Sequence, residues 1–465
     1  MKTKDFFRII LFIFFVFFSD CRSPSESILD SGVMDSEYDL PESIIGQNAA
    51  FVNINILPMD REAVLTNHSV IVKDGIISRI GPSEIVSVPD EAIVIDGKGE
   101  AYLMPGLCDM HIHMSGSLTA IRNDYILYIA NGVTTIREMW GGQSDISVSD
   151  RDAIAAGEIM GPAIYASSPG MDGPGGPWAS FTSPVTTSSQ ARGLVRRYAL
   201  KGYDFIKVYN SLTPEVYQAI TSEAGQQGIP VVGHVPKAVG IEAVFAAGQR
   251  SLEHLIGIKL LASQPFTGGI LDMEVVGELA AKAKIASTWH TPTNTVNSLS
   301  ATDAQQIRNS PEFSYISPGL RQSFINGFHQ GLSSNVASRE DANQKTIAKV
   351  LYDAGVQLLV GSDSGFGYMI HGFAVHSELQ SFIDMGLTPY QTLRAATAAA
   401  AIFVGDEDEF GIVKEGLRAD LILLSGNPLE NFDHLNRDRL GVMVKGDWHL
   451  QIKLNSMLEE IADSY

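Results

Sequence analysis

Cysteine is almost missing from this chain. Only Cys21 and Cys108 occur in 465 residues, which excludes a disulfide framework whatever the compartment. Basic residues are also short: 33 Lys and Arg stand against 53 Asp and Glu, a net charge of −20, and no local Lys/Arg cluster offsets it. A nucleic-acid partner is therefore not expected. The apolar run Ile9–Phe18 falls short of the roughly 20 residues that a membrane-spanning helix needs, and no short-period repeat points to a solenoid. What remains is the composition of a globular, enzyme-sized chain, 45% hydrophobic and 18% charged, with room for one large domain and a smaller one.

The N-terminus pairs a basic start (Lys2, Lys4, Arg8) with that apolar run and then small and polar residues, the layout of a secretory signal over residues 1–20. Cys21 follows directly and resembles the lipid-acceptor cysteine of bacterial lipoproteins, although Asp20 stands where that motif prefers a small residue. The expectation is an exported protein of the bacterial envelope or periplasm, held to the membrane by a lipid on Cys21 alone. Cleavage near Ser19 to Cys21 with release is the alternative. Residues 21–43, acidic and rich in Ser, Pro and Glu, suit a solvated tether.

From Ala49 the texture becomes short β-rich runs with Asp-Gly and Lys-Gly turns, "SVIVKDGIISRIG" among them, and similar runs return near the C-terminus. Residues 44–105 and 411–465 are expected to form one composite β-sandwich, the latter with a C-terminal tail. Between them, residues 106–410 alternate apolar strands with helical stretches, which predicts an α/β fold built as a (β/α)8 barrel.

Histidine is scarce, with 11 in the chain, yet "GLCDMHIHM" (106–114) carries two on alternate positions. In a strand this places His111 and His113 on one face, with Asp109 as an orienter behind them. The strand ends of the predicted barrel continue the series: Lys207 on the fourth, His234 on the fifth, His254 on the sixth, His290 on the seventh and Asp363 on the eighth. In such barrels chemistry sits at those ends. Each residue alone could be structural, as a paired lysine, a satisfied histidine or an Asp363 turn cap; together, His290 apart, they describe one metal-binding rim.

"MPGLCDMHIHM", "DFIKVY", "GHVPK", "LEHLIG", "GSDSG" and the late "GIVKEGLRADLILLSGNPL" resemble the strand signatures of the amidohydrolase superfamily, over nearly the whole mature chain and closest in texture to its imidazolonepropionase-like and Xaa-Pro dipeptidase branch. The resemblance implies two divalent ions, Zn²⁺ by ligand chemistry. His111, His113 and Asp363 would hold one, His234 and His254 the other, bridged by Lys207 as N6-carboxylysine formed with CO₂. Unmodified lysine has no lone pair to offer a cation when protonated; without the carbamate, a single ion on His111, His113, His234 and Asp363 stays open, with His254 polarising the substrate.

The implied activity is hydrolysis of a C–N bond in a small peptide, N-acyl amino acid or cyclic amide, with Asp363 moving the proton. Tyr209 and His290 are the candidate substrate contacts and stay outside the catalytic set, as does His376. A glycine- and proline-rich loop around Trp178 is a candidate lid. Ester, lactone or phosphoester hydrolysis on the same fold and a non-catalytic binding lipoprotein are the alternatives. Oligomeric state is left open.

Overall fold

In a computed structural model of the chain, the described residues are 38, 40–139, 144–176, 182–263, 268–301, 309–322, 334–366 and 369–465. The signal segment, Cys21 and Trp178 lie outside them. The end of the expected tether belongs to the fold: Pro41 accepts a hydrogen bond from the indole of Trp448 at 3.0 Å, and Tyr38 and Leu40 pack against the core beside it.

Six strands open the chain: β1 (Ser43–Ile44), β2 (Ala49–Ile56), β3 (Leu65–Lys73), β4 (Ile76–Pro82), β5 (Ile93–Asp96) and β6 (Tyr102–Pro105). β3 and β4 pair as a hairpin across Asp74 and Gly75, at φ +50° and +78°. Two consecutive residues at positive φ are what a tight type I′ turn requires, and the Asp-Gly pair supplies them.

The barrel follows. β7 (Leu107–Ile112), β8 (Val133–Glu138) and β9 (Ala163–Ala166) run parallel in one ladder. The chain then makes a short excursion through β10 (Met171–Asp172) and β11 (Ser183–Pro184). A second parallel ladder contains β12 (Ile206–Val208), β13 (Val231–Gly233), β14 (Ser251–Glu253) and β15 (Trp289–Thr291). Parallel bridges join the two ladders at Ser167 to Phe205, and residues 358–364 close the ring by bridging His290 on one side and Ile112 on the other. Those residues act as the eighth strand, with backbone bonds from Leu359 to His290 (2.9 Å), Met110 to Val360 (2.9 Å) and Asp363 to His111 (2.8 Å). The expected (β/α)8 barrel is the observed one.

Two apolar layers hold it. Cys108, Met110, Phe205, Val232, Trp289, Leu359 and Phe403 pack together inside, at the N-terminal end. Ile206, Val208, Val231, Leu252, Leu358 and Val360 face the surrounding helices. One helix joint shows full capping: Thr213 caps helix Pro214–Gln227 through Val216, Pro214 opens it, and Gly228 at φ +70° ends it.

The chain returns in β16 (Leu421–Leu424), β17 (Arg439–Val444) and β18 (Asp447–Leu450). β16 pairs β6 and β18 pairs β1, so the order is β1-β18-β17-β16-β6-β2-β3-β4, with β5 on β2. Both chain ends thus build one composite sheet domain of nine strands. It has its own core, where Phe51 meets Trp448 edge-on at 5.6 Å.

Candidate metal centre

Parallel strands in register aim aligned residues at the same side, and this arranges the rim. Lys207 lies two residues beyond Phe205 and Glu253 two beyond Ser251. Asp363 lies four beyond Leu359. Each therefore sits above the apolar plug on the barrel interior, at the C-terminal strand ends. His234 follows β13 directly, and His254 follows β14.

His111 and His113 reach the same place by a different route from simple alternation. Asp109 aligns with Ile136 and Ile112 with Glu138, so β7 spends three steps against two in β8. That extra residue is a bulge, and it re-aims the side chains. Asp109 turns outward, accepting from the backbone N–H of Ser362 at 2.9 Å and from its hydroxyl, in a network that reaches Tyr128 on helix Leu118–Ala130 through Ser364. The expectation of Asp109 as an orienter behind the two imidazoles is corrected accordingly: it pins the eighth strand.

The imidazoles have other orienters. Glu253 Oε2 lies 2.9 Å from His111 Nδ1 and is itself held by the buried Arg137 at 3.1 Å. Asn210 Oδ1 lies 2.8 Å from His234 Nδ1, and Thr293 Oγ1 lies 2.7 Å from His254 Nδ1. Each partner occupies Nδ1 and leaves Nε2 of the ring for a ligand. These orienters escaped sequence reasoning. Glu253 is the residue before His254 in "LEHLIG", and alternation within β14 was the one signal that could have found it.

On the inward side, Asp363 Oδ1 stands 2.9 Å from His113 Nε2 and 3.3 Å from His111 Nε2, and Asp363 Oδ2 stands 3.9 Å from His254 Nδ1. Ligand atoms of His111, His254 and Asp363 all fall within 4.8 Å of one another. The His234 ring lies 5.0 Å from that of His254. Lys207 is fully buried and its Nζ has no hydrogen-bond partner among the described residues; the Tyr209 ring lies 5.1 Å away. Two of the candidate ligands hold unusual backbone, His254 at φ +62° and Asp363 at φ +59°, as functional sites often do.

Electrostatics prepare these groups for a cation. Burial pushes the imidazolium forms of His111 and His234 far down, helped by the neighbouring Lys207. Burial likewise lowers His254, to about 4, against the opposing pull of Asp363. Burial raises the Asp363 carboxyl, but His254, His111 and His113 outweigh it and hold the group well below its ordinary value. Burial lowers Lys207 to about 8, with Glu253 resisting and Arg137 assisting. Neutral imidazoles and an ionised carboxylate are a donor set that fits divalent metal, and the buried amine can join it only once it has lost its proton.

Two sequence expectations fare differently at the mouth. Tyr209 packs its ring 4.6 Å from His234 and stands beside the site. His290 does not: it aligns with Leu252 and Leu358, both of which face the helices, so alternation turns it away from Thr291 and the interior. It is fully buried there and is corrected as a substrate contact. His376 is half-buried on helix Phe373–Asp384, with Nε2 2.9 Å from the Asn131 carbonyl, an ordinary packing position.

Residues 102–449 match the model of the amidohydrolase family. An ochratoxinase of Aspergillus niger is 24% identical over 432 residues, which cover 81% of each protein. Among solved structures, the bottromycin amidohydrolase superposes with a TM-score of 0.72 at 23% identity, over 92% of this chain and 91% of that one. A Xaa-Pro dipeptidase with bound methionine in its active site gives 0.67 at 22% identity, over 87% and 100%. These two likenesses carry the fold.

Proposed function

This chain belongs to the amidohydrolase family, and from that premise we propose that it is a metal-dependent hydrolase of a C–N bond in a small peptide, N-acyl amino acid or cyclic amide. The observation that carries the reading is the convergence, on one barrel rim, of four imidazoles, the Asp363 carboxylate and a buried lysine whose Nζ lacks a hydrogen-bond partner among the described residues. Relatives named as an amidohydrolase and a dipeptidase support the bond type.

In this proposal His111, His113 and Asp363 would hold one Zn²⁺, and His234 and His254 a second. Lys207 would serve the site as a carbamate: its neutral amine adds CO₂ and releases a proton, which puts an anion where an ammonium would repel the metal. When bound, metal would supply a water of lowered pKa and polarise the scissile carbonyl. The protein's own groups do the rest. Asp363 takes the proton of the attacking water and hands it to the amine nitrogen as the C–N bond breaks. Glu253, Asn210 and Thr293 keep the imidazoles turned, and Tyr209 flanks the substrate's approach. The N-terminal segment is read as an export signal, with Cys21 lipidated and the barrel held at the bacterial envelope.

Turnover and metal content test this together. Purified protein supplied with zinc is expected to hold close to two ions per chain and to hydrolyse members of a panel of dipeptides, N-acyl amino acids and cyclic amides. Amines leave poorly unless protonated, so Asp363→Asn should damage amide turnover far more than turnover of an activated aryl ester, with metal content measured in the same sample. A wild-type protein that turns over only lactones or phosphotriesters assigns the site to those substrates instead. Folded protein that gains no zinc leaves only a binding role.

A further inference from the structure

Beneath His254 lies a buried polar chain that the ligand assignment does not use. Lys259, on helix Ile256–Ala262, is 3% exposed. Its ammonium lies 3.3 Å from Glu340 Oε2 and donates to Gln344 Oε1 at 2.9 Å, both on helix Ser334–Asp353. Gln344 in turn donates from Nε2 to the carbonyl of His254 at 3.2 Å and to that of Pro292 at 2.5 Å.

The orientation of that amide is forced. An ammonium can only donate, so the amide oxygen must face Lys259 and both N–H bonds must face the two carbonyls. Those carbonyls belong to the loops after β14 and β15, where His254, Leu255 and Thr293 all adopt left-handed backbone, at φ +62°, +55° and +51°. Residues with a Cβ stay there only when their surroundings hold them. The backbone N–H of His254 is fixed separately, on the Thr291 carbonyl at 2.9 Å. Thr293 has one hydroxyl proton and donates it to the Pro292 carbonyl at 2.7 Å. Toward His254 Nδ1, at 2.7 Å, it can then only accept. That sets the proton on Nδ1 and leaves the Nε2 lone pair free.

We propose that Gln344, oriented by Lys259, is a positioning residue that holds the His254 and Thr293 loops in register, so that Thr293 fixes the His254 ring with Nε2 presented to the second divalent ion. The inference rests on the metal-site reading above.

Zinc affinities measured by competition with a chromophoric chelator, and the visible spectrum of the cobalt-loaded protein, test it without reference to turnover. Gln344→Met keeps the length and removes both donors; Thr293→Val removes the hydroxyl and Thr293→Ser retains it. In Gln344→Met and Thr293→Val the first ion should bind as in wild type and the second should weaken roughly 10- to 100-fold, the usual effect of losing a group that orients a ligand. The cobalt spectrum should change with it. Thr293→Ser should restore wild-type binding. Two ions at wild-type affinity in both Gln344→Met and Thr293→Val would overturn the inference while leaving the metal site intact; wild-type protein that takes up no zinc removes both. If Gln344→Met fails to fold by circular dichroism, the Thr293 pair decides alone, since equal binding in Val and Ser variants overturns the inference.

Discussion

Lys207 is the residue whose surroundings make least sense without chemistry. A buried polar group lacking a hydrogen bond costs on the order of 1–3 kcal/mol, and here the group carries a charge in its ordinary state, with its Nζ sealed inside the barrel. Burial offsets part of that cost by lowering the amine to about 8, and the neutral amine is the form that captures CO₂. The sign follows: each pH unit below 8 cuts the neutral fraction about tenfold, so metal-free protein equilibrated with ¹³CO₂ at one fixed partial pressure, which holds dissolved CO₂ constant, should build a carbamate signal faster at pH 8.5 than at pH 6.5. Lys207→Ala should lose the signal, most of the second zinc and roughly 100-fold or more in turnover. Short carboxylic acids in excess should restore part of the last two. Lys207→Arg should not, because a guanidinium stays protonated. Unchanged turnover and metal content in Lys207→Ala would remove the bridge.

Secondary elements determine which of these residues meet. Gly361 lies in the closing strand, and a Cβ there would fall 2.8 Å from His111 Cβ and 2.4 Å from Thr291 Cγ2. Gly361→Ala must therefore push β7 or β15 aside, at a cost of about 1–3 kcal/mol; the expected result is a lowered melting temperature together with weaker zinc binding in the His111 half of the site. A second element effect concerns pH. Glu378, on helix Phe373–Asp384, accepts from the backbone N–H groups of Asn294 and Thr295 at 3.0 and 2.7 Å, at the start of helix Asn294–Ala301. Burial raises its carboxyl from 4.5 to about 7. The folded protein binds the proton more tightly than the unfolded chain, so this contribution is complete below pH 4.5 and is lost as pH rises toward 7, amounting to roughly 3 kcal/mol at 1.36 kcal/mol per unit. Denaturant melts of Glu378→Gln should lack that slope, and identical slopes in mutant and wild type would refute the assignment. Elements also explain what alternation misread. The period-2 pattern put Asp109 beside His111, and one bulged residue in β7 reverses that, a feature that "LCDMHI" does not announce.

At the scale of the whole molecule, the barrel and its rim were legible because five of the eight strand ends, the first, fourth, fifth, sixth and eighth, carry their message locally: a ligand-capable residue at the end of a short apolar run. The orienters were not, because they are set by distance along the chain. His111 and Glu253 are separated by 142 positions, and Arg137 and Glu253 by 116, and no local pattern couples such pairs. Joining of the chain ends was readable from β texture at both termini, whereas the pairing of β6 with β16 into one continuous sheet depends on register that only the folded chain supplies. The same sheet bears on attachment. It anchors residues 40–44 through β1 and Trp448, so any tether to a membrane ends there, and the chain from Cys21 to that point is short, acidic and unable to hold a bilayer by itself. With a net charge of −20, adsorption to an anionic lipid surface is no substitute. In the proposed envelope location, membrane attachment would therefore rest on lipid at Cys21, since stable anchoring needs buried acyl chains. In cells that process lipoproteins, the wild type should partition into detergent and incorporate radiolabelled palmitate, while Cys21→Ser should lose both and be released or stall as a precursor. Soluble wild-type protein whose sequenced N-terminus lies at residue 22 would show ordinary secretion instead.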